Sequence, residues 1–282
     1  MTTTPAKYGQ FAVITGASSG LGAEFAAQLA DAGFNLVLVA RRRDRLDALA
    51  NHLGSQRQVL AIPLDLAAPG AVDELVARTR ALDVGLVVAA AGTMVAGRFV
   101  DNDYAAESQS VQLNVLALMQ LAHRYGAMMA TRGRGGLILV ASTVGHAAVP
   151  FSANYAATKA YVSSLGRALH YELKSSGVDV LTLAPGPTDT EGLRETEGID
   201  FGALPMPMMT STAVVRTALK KLGRRSLVIP GAMNRMADVL CHLLPRSVMT
   251  AMFGRMLFKA MAAGPAAAPT SGIDSQRQGR AS

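Results

Sequence analysis

Tyr155 and Lys159 stand four positions apart in a stretch with helical spacing. On a helix such a pair shares one face and the side chains can meet. A free phenol titrates near pH 10, too high for proton transfer at neutral pH, and a neighbouring ammonium favours the phenolate. The pair is therefore suited to passing a proton to or from a substrate oxygen. Ser142, thirteen residues before the tyrosine at the end of an apolar run, brings a hydroxyl that can bond a carbonyl oxygen and steady a developing alkoxide. Asn114 lies inside a long helical stretch, an odd interior choice; one use is to hold a water linking Lys159 to solvent. Each has an ordinary reading as well: a surface pair, a turn hydroxyl, a satisfied buried amide. Their order and strand-end placement favour chemistry.

A second constellation lies near the N-terminus. Thr15 to Gly22 reads T-G-A-S-S-G-L-G, between an apolar run and a helical stretch. Gly16, Gly20 and Gly22 allow a tight turn and a close approach of backbone to a pyrophosphate, and the following helix offers free N–H groups to that anion. Ser18, Ser19 and Leu21 belong to the same loop. About 20 residues on, where the second strand ends at Ala40, an acidic residue would bond the free ribose hydroxyls of NAD. Arg41, Arg42 and Arg43 stand there instead, and a guanidinium suits a 2′-phosphate. Arg41, with a hydroxyl from Ser18, therefore points to NADP(H). Asp65-Leu66 closes the third strand, where the carboxylate can accept from an adenine amino group.

The elements that must carry these residues alternate. Strands are expected at Phe11–Thr15, Phe34–Ala40, Val59–Leu64, Leu86–Ala91, Leu137–Ala141, Val178–Ala184 and Ser226–Ile229. Helices are expected at Leu21–Ala32, Arg45–Leu53, Ala71–Ala81, Tyr104–Met129, Asn154–Ser175 and Thr212–Leu222. Strands alternating with helices give an α/β fold with a parallel sheet covered on both faces, and the continuous apolar runs agree with that burial. Pro187 to Met209 breaks the pattern as a long Gly-, Pro- and Met-bearing connection, the kind that forms lids.

The 282-residue chain is 50% hydrophobic with a formal charge of +7, which excludes a wholly disordered protein. Its basic residues are scattered, without the aromatic interleaving of nucleic-acid binders, so no nucleic-acid partner is expected. Cys241 is the single cysteine, so neither an intrachain disulfide nor a cysteine metal cluster forms; no metal site is expected. No leader-like start or spanning apolar stretch is seen, and a cytoplasmic setting is the default.

With T-G-A-S-S-G-L-G, Asp65-Leu66, Ala91-Gly92, Asn114, Ser142, Tyr155, Lys159 and Pro185-Gly186 in this order, residues from about 10 to 230 resemble the short-chain dehydrogenase/reductase family. The resemblance implies a Rossmann-type, doubly wound, seven-stranded parallel sheet over residues 1–230 and an Asn-Ser-Tyr-Lys tetrad. It also implies hydride transfer between nicotinamide and a carbonyl or secondary alcohol, with Tyr155 as acid in reduction. Lys159 would also hold the nicotinamide ribose, and Thr188 and Thr190 would lie in the region that meets the carboxamide. A homodimer or homotetramer paired through the two longest helices is implied too. One departure is visible. The family's Asn-Asn-Ala-Gly is here Ala89, Ala90, Ala91 and Gly92, which places the bracing of the sheet near the cofactor in question.

Residues after Gly92, Val144 to Asn154 and the Pro187 to Met209 segment are expected to form a pocket for a hydrophobic ketone, fatty-acyl or steroid-like, with Met94, Val95, Phe99, Met206, Met208 and Met209 as candidates for its lining, although methionines at these positions fit core packing as well; His146 is expected at its rim. Residues 231–262 form a helical extension, in which Met233 to Met261 carries apolar residues at helical spacing with Arg235, Arg246, Arg255 and Lys259 between, and Pro245 dividing two helices. A peripheral membrane contact, a cap on the pocket and a subunit contact all fit this segment. Residues 263–282, rich in Ala, Pro, Gly and Ser, are expected to be disordered. A catalytically silent NADP-binding sensor or scaffold, or a membrane-surface lipid-modifying reductase, are the competing functional readings.

Overall fold

Short aliphatic runs become strands because both their faces are covered. In the computed structural model these are β1 (Phe11–Thr15), β2 (Asn35–Ala40), β3 (Val59–Pro63), β4 (Val84–Ala89), β5 (Gly135–Val140), β6 (Val178–Leu183) and β7 (Leu227–Val228). They form one sheet in the order β3-β2-β1-β4-β5-β6-β7, with every neighbouring pair parallel. The order reverses between β1 and β4, and in such sheets the crevice at the carboxyl ends of those strands is where ligands bind. The structure describes residues 3–263 apart from 56, 195, 197–198 and 201–207. The tail from 264 onward, part of the expected lid and Met206 lie outside the described residues.

The helices are α1 (Gly20–Asp31), α2 (Arg43–Leu53), α3 (Ala71–Thr79), α4 (Tyr104–Val111), α5 (Leu118–Arg132), α6 (Ala153–Glu172), α7 (Ser211–Lys221), α8 (Ala232–Leu243) and α9 (Arg246–Ala263). Alternate strand residues feed two cores. Ala12, Ile14, Leu36 and Leu38 pack with Phe25 and Leu29 of α1 and Val214 and Leu219 of α7. Val13, Val37, Val87 and Leu137 pack with Leu75 of α3, Leu121 and Tyr125 of α5, and Val162 of α6. A third, smaller cluster joins Leu257 and Ala260 of α9 to Val149 and Ala156, with Val144 and Phe151 packed against it. The C-terminal extension therefore packs over the segment that follows β5. Its two helices part at Pro245, which cannot donate to a continuing helix.

The expected single helix over 104–129 is not continuous. Between α4 and α5 the backbone makes a π-helical turn, Gln112–Ala117, which contains Asn114. Such a turn fits one extra residue into the helix and is often found at functional sites. Helical periodicity in the sequence does not reveal it, because the apolar spacing on either side is normal.

Candidate active site

The loop between β1 and α1 is shaped by its glycines. Gly16 and Gly20 have φ of 69° and 55°, in the left-handed region that side chains disfavour. A Cβ on Gly22 would run into the Gly16 carbonyl oxygen, so only glycine lets α1 lie this close to the strand end. Ser19 is the N-cap of α1 but makes no side-chain cap bond. The first N–H groups of the helix thus have no cap from it, and they face the carboxyl end of the sheet, an arrangement that suits a phosphate. Leu21 packs against the core beneath.

It is Arg42, not the expected Arg41, that reaches this loop. Its Nη2 donates to Ser19 Oγ at 2.9 Å and to Ser18 Oγ at 3.2 Å, with Nε also near Ser18 at 3.3 Å. Arg41 is exposed. Glu191 lies across the arginines, 3.5 Å from Arg42 and hydrogen-bonded to Arg45. At the end of β3, Asp65 Oδ1 accepts from the Ala67 N–H at 3.0 Å, closing the turn that carries Leu66. The bracing placed in question by the alanines after β4 comes from Thr15. Its hydroxyl accepts from the N–H groups of Ala90 and Ala91, both at 3.1 Å. Gly16 then lies against Ala91, where a Cβ would come within 2.9 Å of that backbone.

Four side chains converge at the ends of β4 and β5. Lys159 is buried, and its Nζ donates to the Val140 carbonyl at 2.9 Å and sits 5.6 Å from the Tyr155 ring centre. The Tyr155 hydroxyl bonds Ser142. Ser142 otherwise makes only long contacts, to Pro185 O and Val144 N at 3.4 Å, so its hydroxyl is weakly held. Asn114, fully buried on the π turn, grips Thr93 at both ends: Oδ1 accepts from its N–H at 3.0 Å and Nδ2 donates to its carbonyl at 2.8 Å. Nδ2 also reaches Thr158 Oγ1 at 3.1 Å. Asn114 is thus a strut between the strand after β4 and α6. Gly92 lies between Asn114 and Lys159, where a Cβ would stand 3.1 Å from Asn114 Oδ1 and 3.4 Å from Lys159 Nζ.

Electrostatics differ from the expected phenolate. Burial pushes the Tyr155 hydroxyl up to about 12, only partly offset by the bond from Ser142, although the residue keeps some exposure. Burial brings Lys159 down to about 8. Desolvation outweighs the Ser142 bond, so Tyr155 holds a proton across neutral pH and can donate one in this state.

Pro185 and Gly186 follow β6 beside Ser142, with the Thr143 N–H donating to Pro185 O at 3.0 Å. Thr188 is buried and its hydroxyl bonds the Gly186 carbonyl. Thr190 sits over Gly20, within 3.3 Å of where its Cβ would lie. Apart from Asn114 on the π turn and Tyr155 and Lys159 on α6, the expected polar residues stand on the segments that follow the carboxyl ends of the strands.

The sequence profile of the short chain dehydrogenase family matches residues 10–198. This chain belongs to that family. Among its relatives is a 7beta-hydroxysteroid dehydrogenase of Clostridium sardiniense, 30% identical over 252 residues, covering 89% of this chain and 96% of the relative. A very-long-chain 3-oxoacyl-CoA reductase of Podospora anserina is 32% identical over 232 residues, 80% of this chain and 60% of that protein. Among solved structures, one of a 7beta-hydroxysteroid dehydrogenase superposes with a TM-score of 0.81 at 26% identity, covering 88% of this chain and 98% of that one. A short-chain dehydrogenase from Sphingobium yanoikuyae in complex with NADPH gives 0.73 at 32% identity, covering 85% and 94%. Members of this short chain dehydrogenase family are oxidoreductases that use a nicotinamide cofactor on small molecules. The bare loop, the uncapped start of α1 and the buried lysine beside Gly92 fit such a cofactor.

In this short chain dehydrogenase, sequence reasoning missed how the extension is tied to the site. His146, four residues past Ser142, bonds Asp238 of α8 through Nδ1 at 2.5 Å, with Ser163 Oγ 3.4 Å from its other nitrogen. Asn234 of the same helix fills the space over Gly186, where a Cβ would collide with its amide. Neither pairing leaves a signal in the sequence, because the partners are far apart along the chain. Of the expected pocket residues, Phe99 and Met208 are exposed, and Met209 packs against Gly231 and Asn234 rather than an open cleft. Within the expected Val144 to Asn154 segment, Pro150-Phe151 forms one wall of an apolar groove of about 620 Å³ whose other wall is α9, with Thr250, Gly254, Arg255 and Phe258. Phe151, with φ of 64°, is the one described non-glycine residue in the left-handed region. Backbone held so is costly and tends to occur at functional sites.

Proposed function

We propose that the protein is an NADP(H)-dependent reductase of a bulky apolar ketone, or dehydrogenase of the matching secondary alcohol. The observation that carries the cofactor choice is Arg42, held by Ser18 and Ser19 at the end of β2 where a ribose 2′-phosphate would lie. The NADPH complex of the Sphingobium relative supports the same choice. The apolar groove, one wall of which is the Pro150-Phe151 segment just ahead of α6, supports a large hydrophobic substrate, as do relatives named for hydroxysteroids and for very-long-chain 3-oxoacyl-CoA. A homodimer or homotetramer agrees with exposed apolar residues on α5 and α6, among them Met119, Met128 and Tyr171.

The bound nicotinamide supplies or accepts the hydride. In reduction, Tyr155 and Ser142 bond the carbonyl oxygen together, and Tyr155 gives it the proton as the carbon is reduced. The weak hold on Ser142 leaves its hydroxyl available for that oxygen. Lys159, protonated below about pH 8, stabilises the phenolate that remains. Asn114 keeps the 92–93 backbone and α6 in register, so that Lys159 and Gly92 face the same space. A Tyr155→Phe variant tests the assignment. NADPH binding, followed by cofactor fluorescence, should persist while ketone turnover falls roughly 10²–10⁴-fold, the usual worth of a positioned general acid. Unchanged turnover would remove Tyr155 from the chemistry.

A further inference from the structure

The outer side of α8 has no partner among the described residues. Met233, Met236, Val239, Leu240 and Leu243 are 52%, 68%, 56%, 47% and 75% exposed. At 100° per residue they fill an arc of about 120°. The opposite arc is occupied: Asn234 packs over Gly186 and Asp238 holds His146. Across Pro245 the exposure continues on α9 with Val248, Met252 and Phe258 at 50%, 43% and 62%. So many large apolar side chains at the surface mark an interaction face.

Charge selects the partner. Arg235, Arg246, Arg255 and Lys259 are exposed on these two helices, and among the described residues no carboxylate forms an ion pair with them. The α9 segment carries no acidic residue, and the one carboxylate of α8 is turned inward to His146. A second copy docked on this face would set cations against cations. We propose that α8 and α9 dock the protein on an anionic lipid bilayer, with the apolar arc sunk at the headgroup boundary and the cations on the phosphates. No described helix is long and apolar enough to cross a membrane, so the contact lies in the interface. The groove beside Phe151 shares Phe258 and Arg255 with this surface, which gives an apolar substrate a short path from lipid to groove. The docking itself does not depend on the reductase reading.

The full chain is sedimented with vesicles of phosphatidylcholine alone or mixed with phosphatidylglycerol, in low and high salt. Binding is expected only with the anionic vesicles and is expected to weaken with salt. Arg246→Gln and Lys259→Gln should each reduce it roughly fivefold, and Met236→Glu with Leu243→Glu should abolish it. Ketone turnover and the thermal melt of these variants report that they are folded. Protein left in the supernatant with both lipids overturns the proposal. So does a Met236→Glu, Leu243→Glu protein that still binds vesicles, or one that falls to a smaller oligomer in sedimentation velocity while the parent never bound lipid. The last result would assign the face to a second copy.

Discussion

Arg42→Ala tests the cofactor reading most directly. A hydrogen bond from a charged group to a phosphate is worth about 1.5–3 kcal/mol. The Arg42 side chain is 37% exposed, so solvent screens it and the lower end applies. About 1.5 kcal/mol is roughly tenfold in affinity. The specificity constant for NADPH should therefore fall roughly tenfold, while that for NADH, which has no 2′-phosphate, should barely move. Initial rates with each cofactor at saturating ketone give both numbers. Arg41→Ala is the control, since Arg41 is exposed and Arg42 is the residue bonded to Ser18 and Ser19. Equal losses for both cofactors would mean that Arg42 only organises the glycine loop. A larger loss in Arg41→Ala would mean that the wrong side of the strand end has been assigned to the phosphate.

Three further outcomes are expected. Lys159 loses its proton near pH 8 while Tyr155 keeps its own to about 12. Ketone reduction should then fall along a limb centred near pH 8 that is absent in a Lys159→Met variant with residual activity, and a flat profile up to pH 10 would contradict it. The sign for stability is opposite. The unfolded lysine, near 10.5, binds more protons than the folded one between about pH 8 and 10.5, so stability should rise through that window, and a melting series should show the rise lost in the same variant. Asp238→Ala removes the partner of His146, both being at most 15% exposed. The loss of about 2 kcal/mol should lower the melting temperature by roughly 4–8 °C; an unchanged melt would show that α8 is held by Asn234 alone.

The sheet was readable because burial on both faces turns strands into unbroken aliphatic runs, and because the glycines sit where no other residue fits. The Tyr155–Lys159 pair was readable because helical spacing fixes which side chains meet. The arginine that meets Ser18 and Ser19 stands one position past the expected Arg41 because a strand end has no sequence mark sharper than that, and successive residues there point to opposite sides. The phenol's high proton affinity was missed because desolvation depends on what surrounds a group, not on what neighbours it in sequence. Thr15 bonding the Ala90 and Ala91 backbone, and His146 meeting Asp238, are pairings between distant segments that only the folded sheet brings together.

The π turn in front of α5 has a mechanical consequence. One surplus residue shifts the angular phase of α4 relative to α5 by about 100°. Glu107 of α4 can then meet Asn154 at the start of α6, while Leu121 and Tyr125 of α5 still face the sheet. Deleting a single residue from 112–117 would restore a regular helix and swing one of these two surfaces away. Asn114 would turn from Thr93, and the start of α6, which carries Tyr155, would lose an anchor without any change in Tyr155, Ser142 or Lys159.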